Sequence, residues 1–247
     1  MCTLTIVPHS GSRFRIGFNR DESRTRPAGL PPQLRQFGIR KAVLPTDPTS
    51  GGTWLAVNDA GLALAVLNVT PVEGRGAAGP RSRGEIIPGL LGAESPSAAL
   101  ALAERMLDYR DFAPFRLVLV GQGVVADVRW DGRQSMVMSR LLGGSPQMFA
   151  SSGLGDHLVE SVRRELFDAM FVSHPETWPA AQDAFHRHFW PGREHLSVNM
   201  TRETARTVSH GVIDLNPSEA VFTNHPAAPD QPAERVTLRL PLAAGVP

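Results

Sequence analysis

Cysteine is almost absent: the 247 residues contain one, at position 2. No internal disulfide can form, which fits a reducing compartment. Long apolar runs are missing as well, because charged or turn residues interrupt every hydrophobic stretch. No segment therefore reads as a membrane span, and the start has neither the basic nor the apolar part of a secretory signal. An excess of charge of one sign is also missing. The 25 Lys and Arg against 24 Asp and Glu leave a net +1, which gives no footprint for nucleic acid or another polyanion. A cytoplasmic globular protein is the expectation, with enough length to bury a sizeable core in one domain spanning 1–247.

What is present begins at the first residues. Removing Met1 would leave an α-amine and a thiol together on Cys2, a base and a nucleophile within one residue. Cys2, Leu4, Ile6 and Pro8 alternate with Thr3 and Thr5, and Phe14, Ile16, Phe18 and Arg20 alternate with Arg13, Arg15 and Asn19. Side chains on a strand alternate faces, so these are two half-buried strands, turned at His9-Ser10-Gly11-Ser12. Matching apolar with apolar sets Leu4 against Phe18 and Ile6 against Ile16, and this puts Arg20 opposite Cys2. Opposed Cβ atoms are about 5 Å apart, which brings Arg20 and the Asp21 carboxylate within reach of thiol and amine. A slip of two residues would keep the apolar face in order but place Phe18 there instead.

Glycines and prolines, 23 and 21 of them, fall mostly between short apolar runs and predict many strands joined by turns. Residues Ser23 to Pro48 are rich in Arg and Pro with weak periodicity and read as an extended surface excursion. Gly51 to Val57 and Leu62 to Asn68 form a strand pair. Glu73 to Arg83 is the best candidate for a mobile loop. Arg83 to Ile87 leads into a short apolar segment, and Ser95-Pro96 starts a helix whose apolar face is Ala99, Leu102, Ala103, Met106 and Leu107. Phe115–Val120, Val124–Trp130 and Ser135–Leu141 make a meander. A second helix after Asp156 shows Leu158, Val162, Leu166 and Met170 at i+4, and a third covers Ala180 to His188. Strands at Leu196–Met200, Thr207–Leu215, Ala220–Thr223 and Arg235–Leu240 complete the chain. Strands and helices do not alternate strictly, which predicts an α+β fold with antiparallel sheets, a four-layer α/β/β/α sandwich.

Met1-Cys2 with Asn19-Arg20-Asp21-Glu22, Gly51-Gly52-Thr53-Trp54-Leu55, Asn68, Ser82-Arg83-Gly84-Glu85 and Ala205-Arg206-Thr207-Val208-Ser209 resembles the NRDE family, also called the transport and Golgi organisation 2 family. That family is similar to N-terminal-nucleophile (Ntn) hydrolases such as the choloylglycine hydrolase and penicillin acylase group. The resemblance implies an α/β/β/α fold and cleavage of a non-peptide amide C–N bond, with Cys2 as nucleophile oriented by Arg20 and Asp21. It also implies Asn68 at an oxyanion hole and Arg206 completing a charged cluster, while Asn19, Trp54 and Arg83 become candidates for substrate contact.

Each of these residues has a plainer role open to it. Cys2 could be a small apolar strand residue, Arg20-Asp21 a surface ion pair, Asn68 a strand-end turn residue and Trp54 part of the core. Members of the family are connected with haem and lipid handling, so the alternative is a non-catalytic binder of haem or an acyl lipid in the same pocket. Cys2 would then ligate iron, although it lacks the following proline of many haem-responsive sites. No cofactor is required by the hydrolase reading. His186-Arg187-His188 and His195 suggest a metal only weakly, with no second cysteine, no His-Glu-x-x-His and no paired carboxylate. Partners are a small-molecule amide, an acyl lipid or haem; the sequence does not specify an oligomeric state.

Overall fold

Two apolar stripes of period two open the chain and pair as the alternation requires. In the computed structural model, which describes residues 2–9, 12–70, 79–172 and 174–243, strands β1 (Cys2–His9) and β2 (Ser12–Ser23) are antiparallel, with Leu4 opposite Phe18, Ile6 opposite Ile16 and Cys2 opposite Arg20. The turn residues Ser10 and Gly11 lie outside the described residues.

The chain continues through β3 (Leu30–Phe37), β4 (Arg40–Thr46), β5 (Leu55–Asn58) and β6 (Ala63–Asn68), then α1 (Ile86–Leu90) and α2 (Pro96–Met106). Next come β7 (Phe115–Gly121), β8 (Val124–Trp130), β9 (Ser135–Leu141) and β10 (Gln147–Ser151). Helices α3 (Asp156–Met170) and α4 (Trp178–Arg187) precede β11 (Ala205–Leu215), β12 (Glu219–His225) and β13 (Val236–Pro241). One sheet has the order β10-β1-β2-β11-β12-β13 and the other runs β3 to β9 in sequence; every pairing between these strands is antiparallel.

Leu4, Ile6, Ile16 and Phe18 share one core with Leu55, Val57, Leu64 and Leu117 of the facing sheet. Helices α3 and α4 lie on the outer face of the first sheet, and α1 and α2 on that of the second. This is the α/β/β/α sandwich. The cap of α2 is the one its sequence announces: Ser95 Oγ accepts from Ala98 N, and Pro96 occupies the first turn.

Several expectations are corrected. Residues 23–48 are not a bare excursion, since 30–46 form the β3–β4 hairpin. β3 is an edge strand exposed along most of its length, while Ala42–Thr46 is buried throughout, so neither shows the half-buried alternation that marks a strand. Leu196–Met200 is not a strand; it is an irregular segment whose residues 197–200 are buried. β10 is a strand that the sequence pattern does not predict. Helix α3 turns a different stripe inward: Val159, Arg163 and Phe167 are buried whereas Leu158 is exposed, because an arginine sits in the middle of the inner face. Of the loop Glu73 to Arg83, residues 73–78 lie outside the described residues.

Candidate active site

Strand β1 is an inner strand, second from the edge of its sheet, with β10 on one side and β2 on the other. Its first residue is fixed by both neighbours. Cys2 pairs with Ser151 across β10 and with Arg20 across β2, and the Cys2 backbone N–H donates to Ser151 Oγ over 2.9 Å. The sulfur side chain is mostly buried at the edge of the inter-sheet core yet lines a cavity of about 180 Å³. Burial pushes the thiol above its ordinary pKa, against the Asp21 backbone N–H and the Arg20 guanidinium, which favour the thiolate.

Arg20 and Asp21 are only 5% and 2% exposed, so they are not a solvated surface pair. Arg20 Nη2 donates to Asp47 Oδ2 at 2.7 Å, its guanidinium lies 4.1 Å from the centre of the Trp54 ring, and Glu22 is 3.5 Å away. Asp47 also accepts from Arg26 Nε at 2.8 Å and from the Thr49 and Ser50 amides. Burial would raise the Asp47 carboxyl, but these donors and the two guanidinium charges hold it below its usual value. Trp54 is both a core residue and a cavity wall.

The Asp21 carboxylate accepts a 2.6 Å bond from Thr207 Oγ1. Burial raises its pKa above the usual range, and the nearby Arg163 charge opposes that rise. Arg163 is fully buried, donates to Thr3 Oγ1 and to the Leu196 and Ser197 carbonyls, and is pulled down to about 10 by burial, so it stays cationic at neutral pH.

Asn19 follows the strand alternation onto the helix-facing side. Its amide donates to the His186 and Val198 carbonyls and its oxygen takes hydrogen bonds from His186 Nδ1 and His210 Nδ1. It therefore ties β2 to α4 and does not line the Cys2 cavity. His186 is consumed in the same layer by Thr5.

Asn68, at the end of β6, lines the cavity, as do Arg83, Thr53 and Ser82. Arg83 is held by a 3₁₀ turn with a full capping box between Ser82 and Glu85, and its Nη1 donates to Pro114 O. Gly52 packs so tightly that an added Cβ would lie 2.4 Å from the Gly84 carbonyl carbon, and Thr53 N donates to Gly84 O. The Gly-Gly-Thr-Trp and Ser-Arg-Gly-Glu blocks thus meet backbone to backbone on one wall.

Arg206 pairs across β11 with Glu22 and lines an adjoining hollow instead of the Cys2 cavity. Six of the eight candidates, Cys2, Arg20, Asp21, Asn68, Trp54 and Arg83, converge on one cavity. Sequence reasoning missed Ser151, Asp47 and Arg163. Ser151 sits on the unanticipated strand, Asp47 carries no local motif, and a buried arginine on a helix mimics a solvent-facing one; only Thr207 lay inside a motif block already noted.

The arrangement provides a strand-end thiol, a backbone nitrogen beside a hydroxyl, paired charges and the Asn68 amide around a small polar cavity. The C2A mutant of conjugated bile acid hydrolase from Clostridium perfringens shares the fold with a TM-score of 0.60 and 10% identity, over 96% of this chain and 92% of that one. The Caenorhabditis elegans N-acylethanolamine-hydrolyzing acid amidase ortholog matches with a TM-score of 0.56 and 14% identity, over 86% and 92% respectively. At such identities the likeness is one of fold, the Ntn-hydrolase sandwich. Among curated proteins, none matches the chain in sequence. The family model described as Transport and Golgi organisation 2 matches residues 1–150, more than half of the chain and the part that holds Cys2, Arg20 and Asp21, and the chain belongs to that family.

Proposed function

We propose that the protein is an Ntn amidase that cleaves a non-peptide amide through Cys2 after loss of Met1. One observation carries this: the only cysteine stands at the head of an inner strand and lines a cavity together with Arg20, Asp21 and Asn68.

Loss of Met1 turns the Cys2 nitrogen, now hydrogen-bonded to Ser151 Oγ, into an α-amine with a pKa of about 7.7–8.0. The raised thiol needs such a base. The amine takes the thiol proton, sulfur bonds to the amide carbonyl carbon, and the oxygen becomes an oxyanion that the Asn68 amide stabilises as donor. Collapse breaks the C–N bond while the α-ammonium returns its proton to the leaving nitrogen. Water, deprotonated by the α-amine, then attacks the thioester, and the departing sulfur recovers a proton. Arg20 favours the thiolate and Asp21 favours the ammonium.

The reaction needs no cofactor. The cavity, about 180 Å³ with charged walls, is below the roughly 300 Å³ at which ligand pockets usually begin, which favours a small amide over haem or a long acyl lipid. Intact-mass measurement and hydrolysis of short N-acyl amides test the reading together. The expected result is a mass lacking Met1, turnover, and an acyl adduct on wild type that Cys2→Ala lacks. Active protein that retains Met1 would eliminate the amine as base; a Soret shift with haemin that Cys2→Ala removes, with no turnover, would favour the binder.

A further inference from the structure

Beside the Cys2 cavity lies a second hollow of about 230 Å³, and the two share Arg20, Glu22, Arg26 and Trp54 as their common wall. Trp54 is the fixed part of that partition. Arg20 lies over its ring, and Gly29 packs so closely on the indole that an added Cβ would meet Cη2 at 2.5 Å.

The hollow holds more positive charge than the protein neutralises. Arg20, Arg24, Arg26 and Arg206 line it. Asp47 and Glu22 compensate Arg20 and Arg26. Arg24 donates to neutral acceptors, the Arg202 carbonyl and the Thr201 hydroxyl. Arg206 is tied into the sheet through its backbone, and its guanidinium has no hydrogen bond or ion pair among the described residues. The rest of the lining is mixed, with Pro27, Leu30, Val208 and Pro226 beside the polar Ser23, Ser209 and Asn224, so two guanidinium groups without a carboxylate partner stand over a surface that is apolar in part.

We infer that this hollow is a second substrate compartment for a carboxylate joined to the scissile amide by a short apolar spacer, with Arg206 and Arg24 as its recognition residues. The inference rests on the amidase reading of the Cys2 cavity and narrows its substrate class. A guanidinium matches a carboxylate with two parallel N–H bonds, and the spacer lies on the proline and leucine surface. Arg206 then acts in recognition, one compartment away from the sulfur.

Calorimetric binding to full-length Cys2→Ala protein tests it without turnover. N-Octanoyl-β-alanine carries the carboxylate on the amine side, and the monobutylamide of suberic acid carries it on the acyl side; each is compared with its own methyl ester. At least one acid is expected to bind about tenfold tighter than its ester, and which one does so identifies the half of the amide that enters the hollow. Arg206→Ala should bring acid and ester to within about twofold, Arg206→Lys should retain part of the preference, and Arg24→Ala should weaken it. Equal binding of acid and ester in both series, absence of binding, or a preference that survives both alanine variants would overturn the proposal. Wild-type hydrolysis of neutral amides is measured separately: turnover without an acid preference sinks the compartment alone, and acid binding without any turnover sinks the amidase reading alone.

Discussion

Arg20 Nη2 lies 2.7 Å from Asp47 Oδ2, although 27 positions separate the two residues and no motif links them. The same carboxylate holds Arg26, so one buried anion sets the place of two cations on the wall between the Cys2 cavity and its neighbour. Asp47→Ala leaves both partly uncompensated and should cost about 3–5 kcal/mol of stability, the usual penalty for breaking a buried pair from one side. The loss should be visible as a lower urea midpoint with an unchanged slope, and kcat/KM should fall further than Asp47→Glu makes it fall. An unchanged midpoint would mean that Arg20 is placed by Trp54 alone.

Asn68 tests the oxyanion assignment. Asn68→Ala should lower kcat by about 10²–10³ with little change in KM, the signature of a donor that acts only when charge develops on oxygen. A change confined to KM would make Asn68 a substrate contact instead.

Ser151 should matter through the nitrogen of Cys2 and not through its sulfur. Ser151→Ala removes the partner 2.9 Å from that nitrogen and should shift the acidic limb of the kcat/KM profile, which reports the amine. Iodoacetamide labelling of Cys2 should be slower at neutral pH than that of a free thiol and should accelerate only as pH rises past the ordinary thiol range, in both proteins, because burial raises the thiol. Identical pH profiles for the two proteins would detach Ser151 from the chemistry.

The helix-facing polar layer predicts acid sensitivity. Burial holds His186 well below its ordinary pKa and brings His210 down to about 3. Both are neutral in the fold, so below about pH 6.5 the unfolded chain binds more protons. The sign follows from that: stability is full above about pH 6.5 and falls as pH drops, by up to about 1.4 kcal/mol per pH unit for each histidine. Urea midpoints measured from pH 8 to pH 4 check this, and His186→Gln should flatten the decline. A midpoint that stays level from pH 6.5 to pH 5 would contradict it.

The part of the site carried by strand alternation was legible in the sequence. Alternation excludes a one-residue slip, which would bury the polar face between the sheets, and matching Leu4 with Phe18 and Ile6 with Ile16 puts Arg20 opposite Cys2; the two-residue slip, which keeps the apolar face, is excluded only by the observed pairing. What could not be read was polar burial. Thr3, Thr5 and Asn19 look like a solvent face, yet they are buried under α3 and α4 by Arg163, Gln182 and His186. An apolar-stripe rule applied to α3 selects Leu158 and Val162, one position before the true inner stripe, because it treats Arg163 as outward. Asn19 differs from its motif neighbours for the same reason: Arg20 and Asp21 line the cavity, whereas its own side chain faces the helices.

Because Cys2 heads a strand flanked on both edges, with Ser151 and Arg20 directly beside it, the strand has no free edge along which to move aside for added sequence. A purification tag fused ahead of Met1 should therefore yield folded but inert protein, by keeping the nitrogen an amide and crowding the cavity mouth. Cutting such a fusion so that the new first residue is Cys2 should restore turnover, whereas leaving even one extra residue should not.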